Sequence, residues 1–435
     1  MRTKISLAVM GLSSLLISCN TQSKKVPTDI EWQAAFSGSD WKMEQTNDGG
    51  FIIAGIKATA DNHKAGKYGE KGDYCIAKID KKGKLEWQKA LGDYESQGVA
   101  AITITSDNGY ILISTNLTQY RDLEKWIIKL DKKGEIQWKK AIENWVSDIQ
   151  QVSDGGYNWA SDIQQTSDGG YIITGKTMSV SEWETRRDDY WVAKLDAKGD
   201  LAWQKVYGGS EFDVANSIEQ TLDGGYIIAG YTGSSDGDVS NKIGGKYNLD
   251  YWIVKLNKDG NIQWEKTYGG TNEDIANSIQ QTKDGGYIVA GSSKSRDGDI
   301  TNGYDDDTYA DYWVVKLDGN GEKQWQKNYG GAHSDYANSI QQTRDGGYII
   351  AGWSNSNTGD KPDSYSGKPD YWIVKTDKEG ILQWQKTLGG TERDEATFIR
   401  QTKDGGYLVA GNSGSNDGDV DTSKGTQNVW VVKLK

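Results

Sequence analysis

Apolar and polar positions alternate along this chain in short bursts, and the bursts recur. The cleanest unit runs from Asn277 to Gly331: NSIQQTKDGGYIVAG, a loop, then DYWVVKLDGNGEKQWQKNYGG. Four strand patterns fall inside each unit. Ser278 to Thr282 reads SIQQT. Gly225 to Gly230 (GYIIAG) is apolar and small throughout, as a buried strand requires. Tyr251 to Leu256 alternates, and Lys323 to Lys327 (KQWQK) supplies a fourth strand. DGG joins the first strand to the second at Asp48, Asp168, Asp223, Asp284, Asp345 and Asp404, with a DNG variant at Asp107. DKKG or NKDG joins the third to the fourth. Asp or Asn followed by Gly supplies the positive φ that a tight hairpin needs.

These short turns order the strands as a meander, A to D. The YGG-x-x-x-D segment must then cross from the outer strand D of one blade to the inner strand A of the next. Asp223 to Asp284 and Asp284 to Asp345 are each 61 residues apart. A strand repeat of this period predicts a closed radial array. The predicted fold is all-β, a seven-bladed β-propeller of four-stranded antiparallel blades over residues 30–435. The ends fit it. Trp430 to Leu434 is a C strand without a D strand, and Ile30 to Gln33 is a D strand without a blade. The N-terminal strand is expected to complete the last blade, removing the exposed sheet edges that invite aggregation. D-strand tryptophans recur at Trp32, Trp87, Trp138, Trp203, Trp264, Trp325 and Trp384. C-strand tryptophans recur at Trp126, Trp191, Trp252, Trp313, Trp372 and Trp430, with Cys75 in the seventh place. Cys75 is thus expected to be a small buried residue. One irregularity interrupts the series: residues 145–158 are nearly repeated by 159–172. The duplication predicts an extra hairpin or bulged loop leading into blade three, either a blade-specific contact or a tolerated insertion.

Composition adds location. The formal net charge is −12, which argues against nucleic acid as a partner. Arg2 and Lys4 precede an apolar stretch, Ile5 to Ile17, too short to span a bilayer. It ends at Leu16-Ile17-Ser18-Cys19, which resembles the lipobox of bacterial lipoproteins. The resemblance implies a signal peptide over 1–18, acylation of Cys19, and a lipidated tether over 19–29. Acyl chains would hold the protein at a membrane, each buried methylene adding about 0.8 kcal/mol. The expected location is the cell envelope, at the outer membrane and facing the periplasm.

Residues 30–435 resemble the GGYIIAG…DYWIVKLD…GxIQW propeller repeats of exported proteins and lipoproteins of Bacteroidetes-type bacteria. The C–D hairpin, as in Leu256 to Trp264, is similar to the tryptophan-docking hairpin of quinoprotein propellers and of the outer-membrane barrel-assembly lipoprotein. Its turn is one residue shorter and the blades number seven, so no quinone cofactor is carried over. Gln220-x-x-Asp223-x-x-Tyr226 resembles the mannose motif of bulb-type lectins but lacks its Asn and Val positions.

Little material for catalysis is present. The two histidines, His63 and His333, lie in different blades, and no HExxH, P-loop, GxGxxG or cysteine cluster occurs. The expectation is a protein that is not an enzyme. Binding material is richer. The D–A and B–C loops emerge on one face, and the B–C loops are long: 231–249 and 292–310 are 19 residues each. The D–A loops carry Asp213, Asp274, Asp335 and Asp394 at matching places, read as partner-binding. The B–C loops carry Asp236 and Asp238, Asp297 and Asp299, and Asp417 and Asp419. Paired carboxylates about a Gly are candidate calcium ligands, though without EF-hand spacing; the plainer reading is a turn capped by its own Asp. Trp183 and Trp353 stand outside both tryptophan series. The function expected is a membrane-anchored, monomeric ring that binds a protein or glycan through its acidic long-loop face. The alternatives are a scaffold subunit of an envelope assembly complex and a lectin-like or carbohydrate-active protein.

Overall fold

The structure, a computed structural model, describes residues 29–36, 39–58, 72–91, 96–117, 123–142, 157–178, 188–245, 248–301, 308–361, 367–421 and 429–435. These form seven four-stranded antiparallel sheets. Six sheets are simple meanders, such as Asp274–Gln281, Tyr287–Ser293, Asp311–Leu317 and Lys323–Tyr329 in blade 5. Blade 7 takes Asp394–Gln401, Tyr407–Ser413 and Val429–Leu434, and its outer strand is Ile30–Phe36 from the other end of the chain. Gln33 faces Val432 and Ala35 faces Trp430 in that register. The inner strands are Ser39–Gln45, Ser96–Ile104, Tyr157–Gln165, Asp213–Gln220, Asp274–Gln281, Asp335–Gln342 and Asp394–Gln401. Each touches the next, and the last touches the first. The expected ring and its closure are both present.

Recurrent residues hold each blade to its neighbour. The C-strand tyrosine of the DYW motif reaches into the next blade: Tyr190, Tyr251, Tyr312 and Tyr371 donate to the carbonyls of Trp252, Trp313, Trp372 and Trp430 at 2.9–3.0 Å. Those tryptophans are fully buried, each adding roughly 1.5–3 kcal/mol of burial. Their indole N–H finds the D-strand Gln or Glu, as Trp313 Nε1 finds Gln326 at 3.0 Å and Trp252 finds Glu265 at 2.9 Å. Six of the seven D-strand tryptophans lie over the C–D turn Gly of the following blade, as Trp203 on Gly260, Trp264 on Gly321 and Trp325 on Gly380.

Within a blade, a buried lysine ties the turns together. Lys255 Nζ reaches Asp223 at 2.9 Å, Gln263 Oε1 at 3.0 Å and the Leu256 carbonyl at 3.1 Å. The same lysine–aspartate bridge recurs at Lys78–Asp48, Lys129–Asp107, Lys194–Asp168, Lys316–Asp284, Lys375–Asp345 and Lys433–Asp404. In blade 7 Lys433 also meets Glu31 of the closing strand at 3.2 Å. The DGG aspartate therefore does more than turn the chain.

The duplicated stretch falls mostly outside the described residues, which begin at 157 in that region. The inner strand of blade 3, Tyr157–Gln165, begins at the end of the first copy and continues into the second.

Candidate functional site

The long-loop face is organised from its loop bases upward. Asp213, Asp274, Asp335 and Asp394 open their inner strands and are wholly buried. Asp274 Oδ2 accepts from Gly270 N at 2.8 Å and Ser295 Oγ at 2.9 Å; Asp335 Oδ2 accepts from Gly331 N at 3.0 Å and Ser356 Oγ at 2.9 Å. The reading of these four as partner contacts is corrected accordingly. With no surface to offer, they tie the D–A crossing to the B–C loop beneath the face. Each lies near the aspartate of a DYW motif across the first Gly of YGG. A Cβ on Gly269 would stand 2.6 Å from Asp274 Oδ2 and 2.7 Å from Asp250 Oδ1, so only glycine fits. Burial raises Asp274 to about 6, against hydroxyl and N–H donors that pull it down. Burial raises Asp250 to about 7, with Asp274 and Asp299 adding to the rise.

The Asp-Gly-Asp loops are braces of the same kind. Asp236 Oδ1 accepts from Ser210 N at 2.7 Å and Asp238 Oδ2 from Gly208 N at 3.2 Å. Asp297 takes Thr271 N at 2.8 Å and Thr271 Oγ1 at 3.0 Å; Asp299 takes Gly269 N at 3.2 Å and Lys323. Asp417 takes Thr391 N and Oγ1, both at 2.8 Å, and Asp419 takes Gly389 N at 3.3 Å. Their partners are donors from the crossing loop rather than from the Asp-Gly-Asp loop's own backbone. Among the described residues no three His, Cys, Asp or Glu side chains stand together as metal ligands. In blade 6 Thr358 and Asp360 do the same work, on Ala332 N and Gly330 N.

Above these braces the blades diverge. The second residue of the inner strand and the residue before the end of strand B face each other across each blade. Blade 4 pairs Val214 with Tyr231, blade 5 Ile275 with Ser292, and blade 7 Glu395 with Asn412. Blade 6 pairs Tyr336 with Trp353. Their rings stack at 4.5 Å and 24°, and both are part exposed. The Arg393 guanidinium from the next crossing loop lies 5.6 Å from the Trp353 ring, and its Nε donates to Glu395 at 2.7 Å. Beside them Tyr309 meets His333 edge-on at 5.2 Å. Trp159, at the equivalent inner-strand place in blade 3, is exposed with Lys125 over its ring at 5.4 Å. Trp353 was legible as an aromatic outside the repeat series; Trp183, Cys19 and His63 lie outside the described residues.

A second departure from the repeat lines the central channel. Asp162, Glu219, Phe398, Arg400 and Lys42 occupy inner-strand places that other blades fill with Ser or Gln. Sequence reading passed over them, although SDIQQT, SIEQT and FIRQT differ visibly from SIQQT.

No family model matches this chain, and a search of curated proteins finds no match. Among solved structures it is similar to Sqt1 from Chaetomium thermophilum, at 10% identity and a TM-score of 0.44, over 92% of this chain and 90% of that one. It is similar to puromycin hydrolase at 11% identity and a TM-score of 0.49, over 87% of this chain and 50% of that one. It is similar to YCF48 bound to D1 peptide at 9% identity and a TM-score of 0.39, over 92% of this chain and 100% of that one. One of these is named as a hydrolase and another holds a peptide. Likenesses this distant carry no argument about either role.

Proposed function

We propose that this protein is a membrane-anchored, non-enzymatic propeller that binds a protein partner through its long-loop face, centred on blade 6. The observation that carries this is the part-exposed Tyr336–Trp353 stack with Arg393 against it. Trp, Tyr and Arg are the residue types that dominate binding energy at protein interfaces. Blades 3 and 4 put one aromatic in these places, Trp159 and Tyr231, and blades 5 and 7 put none, so the ring itself does not demand the facing pair. The proposed anchor is compatible with this orientation. Lys435 N donates to Asp29 O at 3.4 Å where the seventh C–D turn would stand. Asp29, the first described residue, therefore lies at the tight-turn face. A lipid there would turn the long-loop face away from the membrane.

The test is photo-crosslinking in intact envelopes, comparing the wild type with Tyr336→Ala/Trp353→Ala. The double variant is expected to lose its partner by roughly 30-fold or more, as about 2 kcal/mol at a hot spot implies. An unchanged set of crosslinked proteins would refute the reading. Capture of polysaccharide alone would favour the lectin-like alternative.

A further inference from the structure

Channel-lining places can be compared blade against blade. Blades 5 and 6 put neutral side chains there, and each bonds across to the next blade. Ser278 Oγ accepts from Ile340 N at 3.4 Å and Gln280 Oε1 from Gln342 N at 2.7 Å. Ser339 Oγ accepts from Ile399 N at 3.3 Å and Gln341 Oε1 from Gln401 N at 2.6 Å. Blades 3 and 4 make the same bonds with carboxylates. Asp162 Oδ2 accepts from Ile218 N at 3.0 Å, in the Ser278 place, and Glu219 accepts from Gln281 N, in the Gln280 place.

Ser and Gln show that the wall needs only an acceptor. A carboxylate there is a cost without a structural return, because a charge set deep in the ring loses hydration. Burial indeed raises Asp162 to about 6 and Glu219 to about 7, against the N–H bonds that lower them.

Blades 7 and 1, across the ring, depart in the opposite sense. Arg400 stands in the Gln280 place and Lys42 in the Ser278 place. Glu44 stands in the Gln280 place of blade 1, so one carboxylate lies on this side as well, and it accepts from Gln45 N at 3.2 Å. Phe398 takes the remaining Ser place, is buried, and has the Arg400 guanidinium 4.9 Å from its ring. Arg400 Nη1 also donates to the Ile399 carbonyl at 2.9 Å and to Ser339 Oγ at 3.4 Å. The two halves sense each other: Lys42 and Arg400 draw Asp162 down, and Arg400 draws Glu219 down. The channel thus has an acidic wall at Asp162 and Glu219, a mainly basic wall where Arg400 and Lys42 outnumber Glu44, and one aromatic face at Phe398.

We propose that the central channel binds a small dipolar ligand, an amino acid or short peptide, with its ammonium group against Asp162 and Glu219 and its carboxylate against Arg400 and Lys42. Such a ligand replaces lost hydration on both walls at once. A lone amine or a lone carboxylate serves only one.

The probes are dialanine and trialanine, titrated calorimetrically into the full chain, with ethylamine and acetate as half-ligand controls. At least one peptide is expected to bind ten or more times tighter than either control. Asp162→Ser/Glu219→Gln returns the acidic wall to the residues of blades 5 and 6. It is expected to lose tenfold or more in peptide affinity while its Tm holds or rises, since function-bearing charges commonly cost stability. No binding of either peptide, or equal binding by the reverted variant, overturns the proposal. A Tm several degrees lower in the reverted variant also overturns it, by showing that the charges hold the wall.

Discussion

Lys255 is a cation with 3% of its surface exposed, and every part of its surroundings answers it. Two of its acceptors, Gln263 and the Leu256 carbonyl, are within 3.1 Å. The third, Asp223, is more than half exposed, so removing the lysine leaves a carboxylate that water can serve. Lys255→Met is therefore expected to cost about 1.5–3 kcal/mol, the range for charged hydrogen bonds, below the penalty of an orphaned buried charge. Urea unfolding checks this; a change under 0.5 kcal/mol contradicts it. Gly269 gives a sharper case. Its Cβ would press on the carboxylates of Asp274 and Asp250 together. Gly269→Ala is expected to lower stability by more than 2 kcal/mol, where an unconfined Gly→Ala typically gains a few tenths to 1 kcal/mol. A neutral or stabilising result would show that the two carboxylates separate freely.

At the scale of elements, the closing strand carries the most. Gln33 Oε1 accepts from Trp430 Nε1 at 2.7 Å and Asp421 N at 3.1 Å, while its Nε2 donates to Asp419 O at 3.2 Å. Deleting residues 29–36 uncovers the edge of Val429–Leu434 and is expected to produce concentration-dependent oligomers in light scattering; a monodisperse ring would contradict it. The Asp-Gly-Asp loops make a contrasting prediction. Their carboxylates are occupied by N–H donors, so millimolar calcium is expected to leave Tm unmoved. Asp297→Ala is expected to lower Tm with or without calcium. These elements also show what was legible. The strands, turns and closure followed from the sequence, because hydrophobic pattern and Gly turns act locally. The role of Asp213 and its equivalents did not. Whether an aspartate at a loop faces water or lies under a neighbouring loop depends on contacts from residues 19 to 21 positions away, such as Thr232 and Ser234. The channel charges were visible as letters, but their convergence needed the ring.

The whole molecule sums two opposed populations of acids, and their balance fixes its response to pH. The DGG aspartates form the first. Burial pushes them up, but Thr hydroxyls, lysines and Gly N–H groups outweigh it and hold Asp107, Asp168, Asp223 and Asp345 at about 2. An unfolded chain binds more protons than the fold between about 4 and 2, so this population loses its stabilising share as pH falls through that window. The second population is raised by burial: Asp213 and Asp274 to about 6, Asp250 and Asp335 to about 7, with Asp162 and Glu219 in the channel. Here the fold binds more protons than the unfolded chain above about 4, so stability falls as pH rises through 6 to 7. Calorimetric Tm is therefore expected to peak between about pH 4 and 5, declining on both sides. Asp223→Asn should soften the acid limb alone, and Asp250→Asn the alkaline limb alone. A Tm that climbs from pH 5 to 8 would mean that the buried carboxylates are charged and compensated at the loop bases. Cations beside buried carboxylates, Lys176 at Asp188 (2.8 Å) and Arg296 at Asp311 and Lys361 at Asp370 (both 3.4 Å), would then carry more of the fold than the N–H braces do.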